Sequence, residues 1–352
     1  MHLWVRAECR SDEKRVGLLP DGAAELLAEG VRVTVEYSDQ RIIPAEEYSA
    51  VGVELAETGS WRQAPKDTIV FGLKELPEDG TPLIHRHIMF GHAYKGQPAG
   101  KRLLRRFAEG GGVLLDLEYL TDREGKRVAA FGYWAGYAGA AVTFMGWLEQ
   151  QAGASFARVA ALPNSKAMIA PLKSAAGGMR NPLPRVIIIG ARGRVGSGAR
   201  DACEELGLPV TEWDKEETAS GGPFPEVLEH EIFLNCILAS PGCPVFIGEG
   251  AGKVQRKLRL IGDIACDPES SFSPIRVYDH TTSWSEPFLR IADDPPLDVM
   301  AIDNLPSLLP SESSADFATQ LLPHLLELFR RDKDCVWQRA EGFFDKQINF
   351  NQ

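Results

Sequence analysis

The run Val186-Ile-Ile-Ile-Gly190-Ala-Arg-Gly193-Arg-Val-Gly196-Ser-Gly198 constrains this chain more than any other. Its apolar half reads as a buried strand, and a helix pattern, Ala199 to Leu206, follows the glycines. Glycine is needed there where the chain turns tightly and its backbone must approach a pyrophosphate, whose charge then rests on the helix N-terminus. The spacing is G-x-x-G-x-x-G rather than G-x-G-x-x-G, so the glycines alone also fit a strand–helix unit that binds no nucleotide. Four glycines from Gly190 to Gly198 would, however, lose conformational entropy without a compensating use. A second strand, Pro209 to Trp213, ends on Asp214, eighteen residues beyond Gly196. A carboxylate at that point accepts hydrogen bonds from ribose hydroxyls and repels a 2′-phosphate, which favours NAD over NADP. Lys215 is the opposing charge.

The rest of the chain fits the same layered architecture. At 352 residues it is long enough for about two domains. Ala23 to Glu29 is helical and stopped by Gly30, after which Val31, Val33, Val35 and Tyr37 alternate as one face of a strand. Apolar runs follow at Thr68–Leu73, His87–Phe90 and Val113–Leu117. A stretch rich in Pro, Asn and Gly, Asn164 to Pro184, reads as a loop leading into the second series, whose further runs lie at Glu231–Leu238 and Leu258–Ile264. Strands alternating with helices imply an α/β fold with parallel sheets in both halves. Ala315 to Arg331 reads as a helix with Leu321, Leu322, Leu325, Leu326 and Phe329 on one broad face, and a last helix runs from Cys335 to about Ile348.

Charge and cysteine usage exclude several classes. The net charge of -11 opposes an extended nucleic-acid footprint, which needs clustered Lys and Arg, but leaves room for a small anionic ligand held by a local cluster. Scattered thiols without a C-x-x-C pair read as reduced and cytoplasmic. Arg6 and Glu8 fall within what would be the apolar core of a signal peptide. Val128 to Leu148 is uncharged over a span that could cross a bilayer. Its glycines at Gly132, Gly136 and Gly139 and its central Trp134 instead point to a buried helix against which another backbone packs closely.

Two polar groups stand at the carboxyl ends of apolar strands: Lys74 after Ile69-Val-Phe-Gly-Leu73, and His92 after Ile88-Met-Phe-Gly91. Ligands of open α/β sheets gather at those ends. Each also has a plain reading, as a solvated loop lysine and a satisfied buried histidine. His85 and His87 share a strand face but lack the cysteine or repeated histidine that would complete a zinc set, so no metal is expected. Around them Arg15, Glu13, Glu75, Lys95, Glu118 and Arg127 are either ordinary surface charge or the cations and acids that hold a polycarboxylate.

With Leu73-Lys-Glu-Leu-Pro, Phe90-Gly-His-Ala-Tyr-Lys-Gly-Gln97, Arg127-Val-Ala-Ala-Phe-Gly132, the glycine turn, Ser220-Gly-Gly-Pro-Phe and Ile302-Asp-Asn-Leu-Pro-Ser-Leu-Leu-Pro310 in order, the chain resembles the NAD-dependent, lysine-forming saccharopine dehydrogenases, of the alanine dehydrogenase/transhydrogenase-like superfamily, from Arg6 to about Phe344. The resemblance implies oxidative cleavage of saccharopine with water to lysine and 2-oxoglutarate. It implies Lys74 and His92 as the acid–base pair, with Arg15, Lys74, Gln97, Arg127, Phe131 and Asp267 at the substrate. It places Lys126, Gly193, Arg194, Asp214, Thr218, Leu238, Ile264, Ile302, Asp303, Asn304 and Leu305 at the cofactor. Two departures concern the substrate: Ile264-Ala-Cys-Asp267 stands where the family has Val-Ser-Ala-Asp, and Arg10 where it has a lysine. Related readings are an opine-type or alanine-dehydrogenase-like oxidoreductase and, from another class, a non-catalytic NAD-binding regulator.

The chemistry supports those roles. Hydride leaves a carbon next to a secondary amine only if the nitrogen has its lone pair, so an amine of pKa about 10 must first lose a proton. A desolvated lysine beside other cations can take it, which suits Lys74. Imine hydrolysis needs proton shuttling near neutral pH, which suits His92. Glu13, Glu75, Lys95 and Glu118 would support the pair electrostatically.

The expected organisation is two Rossmann-like domains flanking a central cleft: residues 1–128 plus 312–352 bind substrate, and residues 129–311 bind NAD. Residues 1–128 carry 18 basic and 21 acidic groups, a net of -3, so most of the acidic excess lies outside the part that grips a polycarboxylate. Its partners are then small molecules, with no nucleic acid or membrane, in a monomer or small homo-oligomer.

Overall fold

The computed structural model describes residues 1–179, 181–330 and 335–350. They form two units, Met1–Ala130 with Ser313–Gln352, and Phe131–Glu312. In the first, β1 (His2–Val5), α1 (Pro20–Ala28), β2 (Arg32–Glu36), α2 (Ala45–Ala50), β3 (Glu54–Ala56), β4 (Ile69–Phe71), β5 (Arg86–Met89), α3 (Pro98–Gly110) and β6 (Val113–Asp116) build one sheet in the order β3-β2-β1-β4-β5-β6. Every neighbouring pair is parallel. That is the doubly wound order, and it reverses its direction of growth between β1 and β4.

The β2 strand departs from the sequence expectation. Thr34 and Glu36 are buried as fully as Val33 and Val35, so beyond the exposed Arg32 β2 has no solvent face. Glu36 is tolerated because its carboxylate accepts the Trp4 indole N–H at 3.1 Å and the backbone N–H groups of Ala7, Gly59 and Trp61 at 2.7 to 2.9 Å.

The second unit contains α4 (Gly132–Gln151), α5 (Ser165–Gly177), β7 (Val186–Ile189), α6 (Arg194–Leu206), β8 (Val210–Trp213), α7 (Pro225–Leu228), β9 (Ile232–Asn235), β10 (Leu260–Asp263), β11 (Leu289–Asp293) and β12 (Pro296–Met300). The order is β11-β12-β10-β9-β7-β8, and here the all-parallel expectation fails at one edge: β11 runs antiparallel to β12. The short Asp294-Pro295 connection leaves no length for a crossover, so the two strands form a hairpin.

The expected loop Asn164–Pro184 is also corrected, because its centre is α5. The Asn164 side chain caps the helix by accepting the Ala167 N–H at 2.9 Å, and Met168 and Ile169 bury against the core cluster around α4. The composition masked an amphipathic helix behind polar flanks. The uncharged segment forms α4, buried along most of its length, and no helix among the described residues is long and apolar enough to cross a membrane. It lies against α6 with almost no separation. A Cβ on Gly136 would stand 1.8 Å from the Val195 carbonyl oxygen, and one on Gly198 would stand 1.9 Å from that of Tyr133.

After α8 (Pro310–Arg330) and α9 (Val336–Phe350) the chain has returned to the first unit. Arg331, the expected end of α8, lies outside the described residues. Ser314 Oγ accepts the Val16 N–H at 2.9 Å, and Phe317 packs on Phe90 with ring centroids 6.0 Å apart. Phe344 meets Phe107 edge-on at 5.6 Å.

Candidate active site

The carboxyl ends of β1 and β4, neighbours at the reversal of the first sheet, carry Arg6–Glu8 and Leu73–Lys74. Lys74 is half-buried. Its ammonium is pushed below the ordinary lysine value, first by burial and then by the positive charge of Arg15, with Glu13 and Glu75 acting in the opposite sense. Arg15 is buried and forks onto Glu13, Nε to Oε1 at 2.8 Å and Nη2 to Oε2 at 2.5 Å. Two of its donors are thus engaged within the protein, and its charge reaches Lys74 as a fixed field. Glu75 is exposed, 3.9 Å from Arg10 Nη1. Glu8 and Arg6 were read from the sequence only as charges that break a signal peptide. Glu8 accepts the backbone N–H groups of Leu73 and Lys74, and Arg6 donates to the Lys74 carbonyl.

His92 follows β5 with φ of 46°, the one non-glycine residue among the described residues with positive φ. Such backbone costs on the order of 1 kcal/mol and persists where surrounding structure enforces it. The imidazole lies near-parallel to the Phe90 ring at 6.4 Å, about half exposed, with Nδ1 3.6 Å from Glu118 Oε2. That separation is an ion-pair contact rather than a hydrogen bond. Glu118 Oε1 also receives Lys95 Nζ at 3.0 Å and Arg127 Nη2 at 3.4 Å. Nearby His92, then Lys95 and Arg127, hold the Glu118 carboxyl down to about 2, so it stays ionised across the working pH range. Asp116 ends β6, fully buried, and accepts the Glu118 N–H at 2.9 Å; burial pushes its carboxyl up to about 6.

Gln97 is exposed at the start of α3 and, with His92, Glu75 and Arg105, lines a cavity of about 490 Å³. The structure therefore brings His92, Glu118, Lys95 and Arg127 into one charged cluster, Lys74, Arg15, Glu13 and Glu75 into another, and joins Glu75 to His92 and Gln97 along that cavity. It does not bring Lys126 into either: Lys126 is exposed in a turn where its N–H donates to Asp122 Oδ1.

In the second unit the reversal falls between β7 and β9, and the glycine turn follows β7. Gly190 has φ of 89°, and a Cβ on Gly196 would lie 2.1 Å from the Gly190 carbonyl oxygen, so the turn admits no side chain there. Gly193 occupies the cap position of α6 and no side chain caps that helix end. The Asp214 carboxylate crosses from the end of β8 to this turn, accepting the Arg192 N–H at 3.1 Å and the Lys215 N–H at 3.0 Å. Thr218 Oγ1 donates to the Asp214 carbonyl at 2.8 Å. A helix N-terminus with no side-chain cap, beside a glycine turn and a carboxylate, fits the pyrophosphate and adenosine ribose of NAD.

The other expected cofactor residues differ in exposure. Leu238 is 59 % exposed just beyond β9, whereas Ile264, Ile302 and Leu305 belong to the buried core. Asp303 is exposed, and Asn304 accepts the Trp284 indole N–H at 2.9 Å. Arg194 begins α6 and Phe131 stands at the cap position of α4. Asp267 is exposed beyond β10. Beneath these loops Asp263, which no sequence signal marked, accepts from Asn235 Nδ2 at 2.8 Å and Tyr278 Oη at 2.6 Å.

The saccharopine dehydrogenase [NAD(+), L-lysine-forming] of Candida albicans is 42 % identical to this chain, over 98 % of this chain and 97 % of its own length. This chain belongs to that family. Its Neurospora crassa member is 43 % identical over 98 % of this chain and 96 % of its own. Residues 4–138 match the family described as alanine dehydrogenase/PNT, N-terminal domain. An L-alanine dehydrogenase structure superposes with a TM-score of 0.69 at 17 % identity, covering 99 % of this chain and 94 % of that one, which shows a shared fold. Membership in the saccharopine dehydrogenase family thus spans both units, while the superposition extends the same architecture to alanine dehydrogenase.

Proposed function

We propose that this protein performs the NAD-dependent oxidative cleavage of saccharopine, with Lys74 as base toward the secondary amine and His92 as acid–base for the hydrolysis that follows. The reaction consumes saccharopine, water and NAD and gives lysine, 2-oxoglutarate and NADH. When bound, NAD accepts hydride from the carbon next to the secondary nitrogen. The cradle from Gly190 to Gly198 and Asp214 hold its diphosphate and adenosine ribose, with Thr218, Leu238, Ile264 and Ile302–Leu305 bounding its remainder.

The setting of Lys74 carries the assignment of roles. A lysine with an ordinary pKa is protonated at neutral pH and cannot accept a proton, but burial and the fixed Arg15 charge move Lys74 toward its neutral form. Once the amine has lost its proton and the substrate its hydride, a water must add to the C=N carbon. His92 is half exposed beside an open cavity, where it can take a proton from that water and return it to the departing amine. Glu118, ionised throughout, stabilises the imidazolium formed between the two transfers. The charge of Arg127 and the amide of Gln97 meet the substrate's carboxylates. Unit by unit, residues 1–130 with 313–352 bind the amino-acid portion and residues 131–312 the dinucleotide.

Lys74→Met should lower turnover of saccharopine by roughly 100-fold or more, while NADH binding followed by fluorescence stays unchanged. Parent-like turnover in that variant would overturn the role of Lys74. If the parent protein binds NADH yet forms none from saccharopine, and turns over another secondary-amine dicarboxylate instead, the substrate assignment moves to that compound.

A further inference from the structure

We propose that Glu8 and Arg6 form a clamp on the backbone of Lys74 and act as positioning residues for its proton transfer. The inference rests on the reading of Lys74 as the base and extends it to how that base is held. At the end of β4 the ladder continues only partly: the Arg6 N–H donates to the Phe71 carbonyl and the Gly72 N–H to that of Ile88. The next two amides, of Leu73 and Lys74, both turn onto one side chain. Glu8 Oε1 accepts the Leu73 N–H at 2.6 Å and Oε2 the Lys74 N–H at 3.0 Å. The Lys74 carbonyl is taken by Arg6 Nη2, and Arg6 Nη1 lies 3.2 Å from Glu8 Oε2, closing the ring. Lys74 is therefore gripped at both polar atoms of its own backbone by one ion pair.

The pair is itself immobilised. Arg6 is 2 % exposed, and the glycine at 72 makes room for it, since a Cβ there would stand 2.4 Å from the guanidinium carbon. The Arg6 carbonyl accepts from Arg41 Nη2 at 3.2 Å, the Ala7 N–H donates to Glu36, and the Glu8 carbonyl accepts from Gln40 Nε2 at 2.7 Å. Charge-assisted bonds to backbone amides are about twice as strong as neutral ones. Because the two charges nearly cancel, the clamp fixes Lys74 without adding net charge to the groups that face its ammonium, namely Arg15, Arg10, Glu13 and Glu75. Its effect is geometric, and an error of about 1 Å in a reacting group can cost on the order of 100-fold in rate.

Glu8→Gln keeps the shape but places an amide nitrogen against one of the two N–H donors and breaks the ion pair. In the full-length protein, with rates normalised to NADH sites titrated by fluorescence, kcat for saccharopine oxidation should fall about 10- to 100-fold. NADH affinity should stay within two-fold. In the double variant Glu8→Gln/Arg6→Met, which leaves the pair without net charge, the pH at which kcat rises as the base deprotonates should move upward, because a Lys74 released from its place is better solvated. Arg6→Lys, which retains charge and one donor, should lose less than Arg6→Met, and that order tests the clamp even if the glutamine variant folds poorly. A parent-like kcat in Glu8→Gln overturns the proposal, as does a lower kcat with an unmoved pH profile in the double variant, which a purely structural role would give. Lys74→Met measured alongside separates the cases: if it retains turnover, the base assignment itself has failed.

Discussion

Asp116 and Glu118 are two residues apart and are held at opposite ends of the carboxylate range, one pushed up to about 6 and the other held down to about 2. The difference is environmental: Asp116 is sealed from water, while Glu118 faces His92, Lys95 and Arg127. The consequences for stability have opposite signs. Between 3.8 and about 6 the native state binds the Asp116 proton and the unfolded chain does not, so stability contributed there is lost as pH rises through 6. Asp116→Asn escapes that loss. Its unfolding free energy relative to the parent should improve by about 1 kcal/mol between pH 5 and pH 7.5 in urea titrations; a pH-independent difference would contradict the raised value. Glu118 stabilises the fold above its unfolded value of 4.5, and that contribution disappears as pH falls toward 2. Its loss in Glu118→Gln should therefore be felt at neutral pH and vanish in acid. Asp214 acts through the ligand instead. Asp214→Ala should weaken NAD binding and narrow the preference for NAD over NADP in steady-state assays, since the repulsion of a 2′-phosphate is removed.

Among elements, the α4–α6 contact tolerates least. Backbones this close leave no room for a methyl, so Gly136→Ala should lower the unfolding free energy by about 2 to 3 kcal/mol, read by denaturant titration. Gly177, in α5 with nothing within 4 Å of a Cβ, provides the contrast: Gly177→Ala should be neutral or stabilising by up to about 1 kcal/mol. Most strands were legible because periodicity is local: β4, β6, β7, β8, β9 and β10 each fall inside the run that suggested them, and β5 starts one residue before its run. α5 was not, because prolines, glycines and an asparagine define its ends and Pro171 lies inside it, and only burial of Met168 and Ile169 decides for helix. β2 was read half correctly, since a carboxylate in a strand looks solvent-facing until Trp4, Ala7, Gly59 and Trp61 are brought to it.

For the whole molecule, the first unit is completed only by the returning segment from Ser313 onward. Phe317, Phe344 and the Arg86–Glu341 ion pair at 2.5 Å all join it to residues of the first 130. A chain ended before Ser313 should leave residues 1–130 sensitive to protease, while the contiguous unit 131–312 persists as a resistant fragment that binds NADH; uniform resistance of both would show the closing helices to be dispensable. The α/β class, the dinucleotide turn, and the strand-end positions of Lys74 and His92 followed from the sequence alone, because each is written in residues adjacent along the chain. What surrounds those residues was decided by tertiary structure. Glu8 meets Lys74 across 66 positions and Arg6 meets it across 68, because a parallel sheet sets β1 beside β4. Glu118 acquires His92, Lys95 and Arg127 as neighbours only where β5, β6 and their loops converge. Which strand lies next to which depends on the burial of the whole apolar surface, a global property that no local pattern carries.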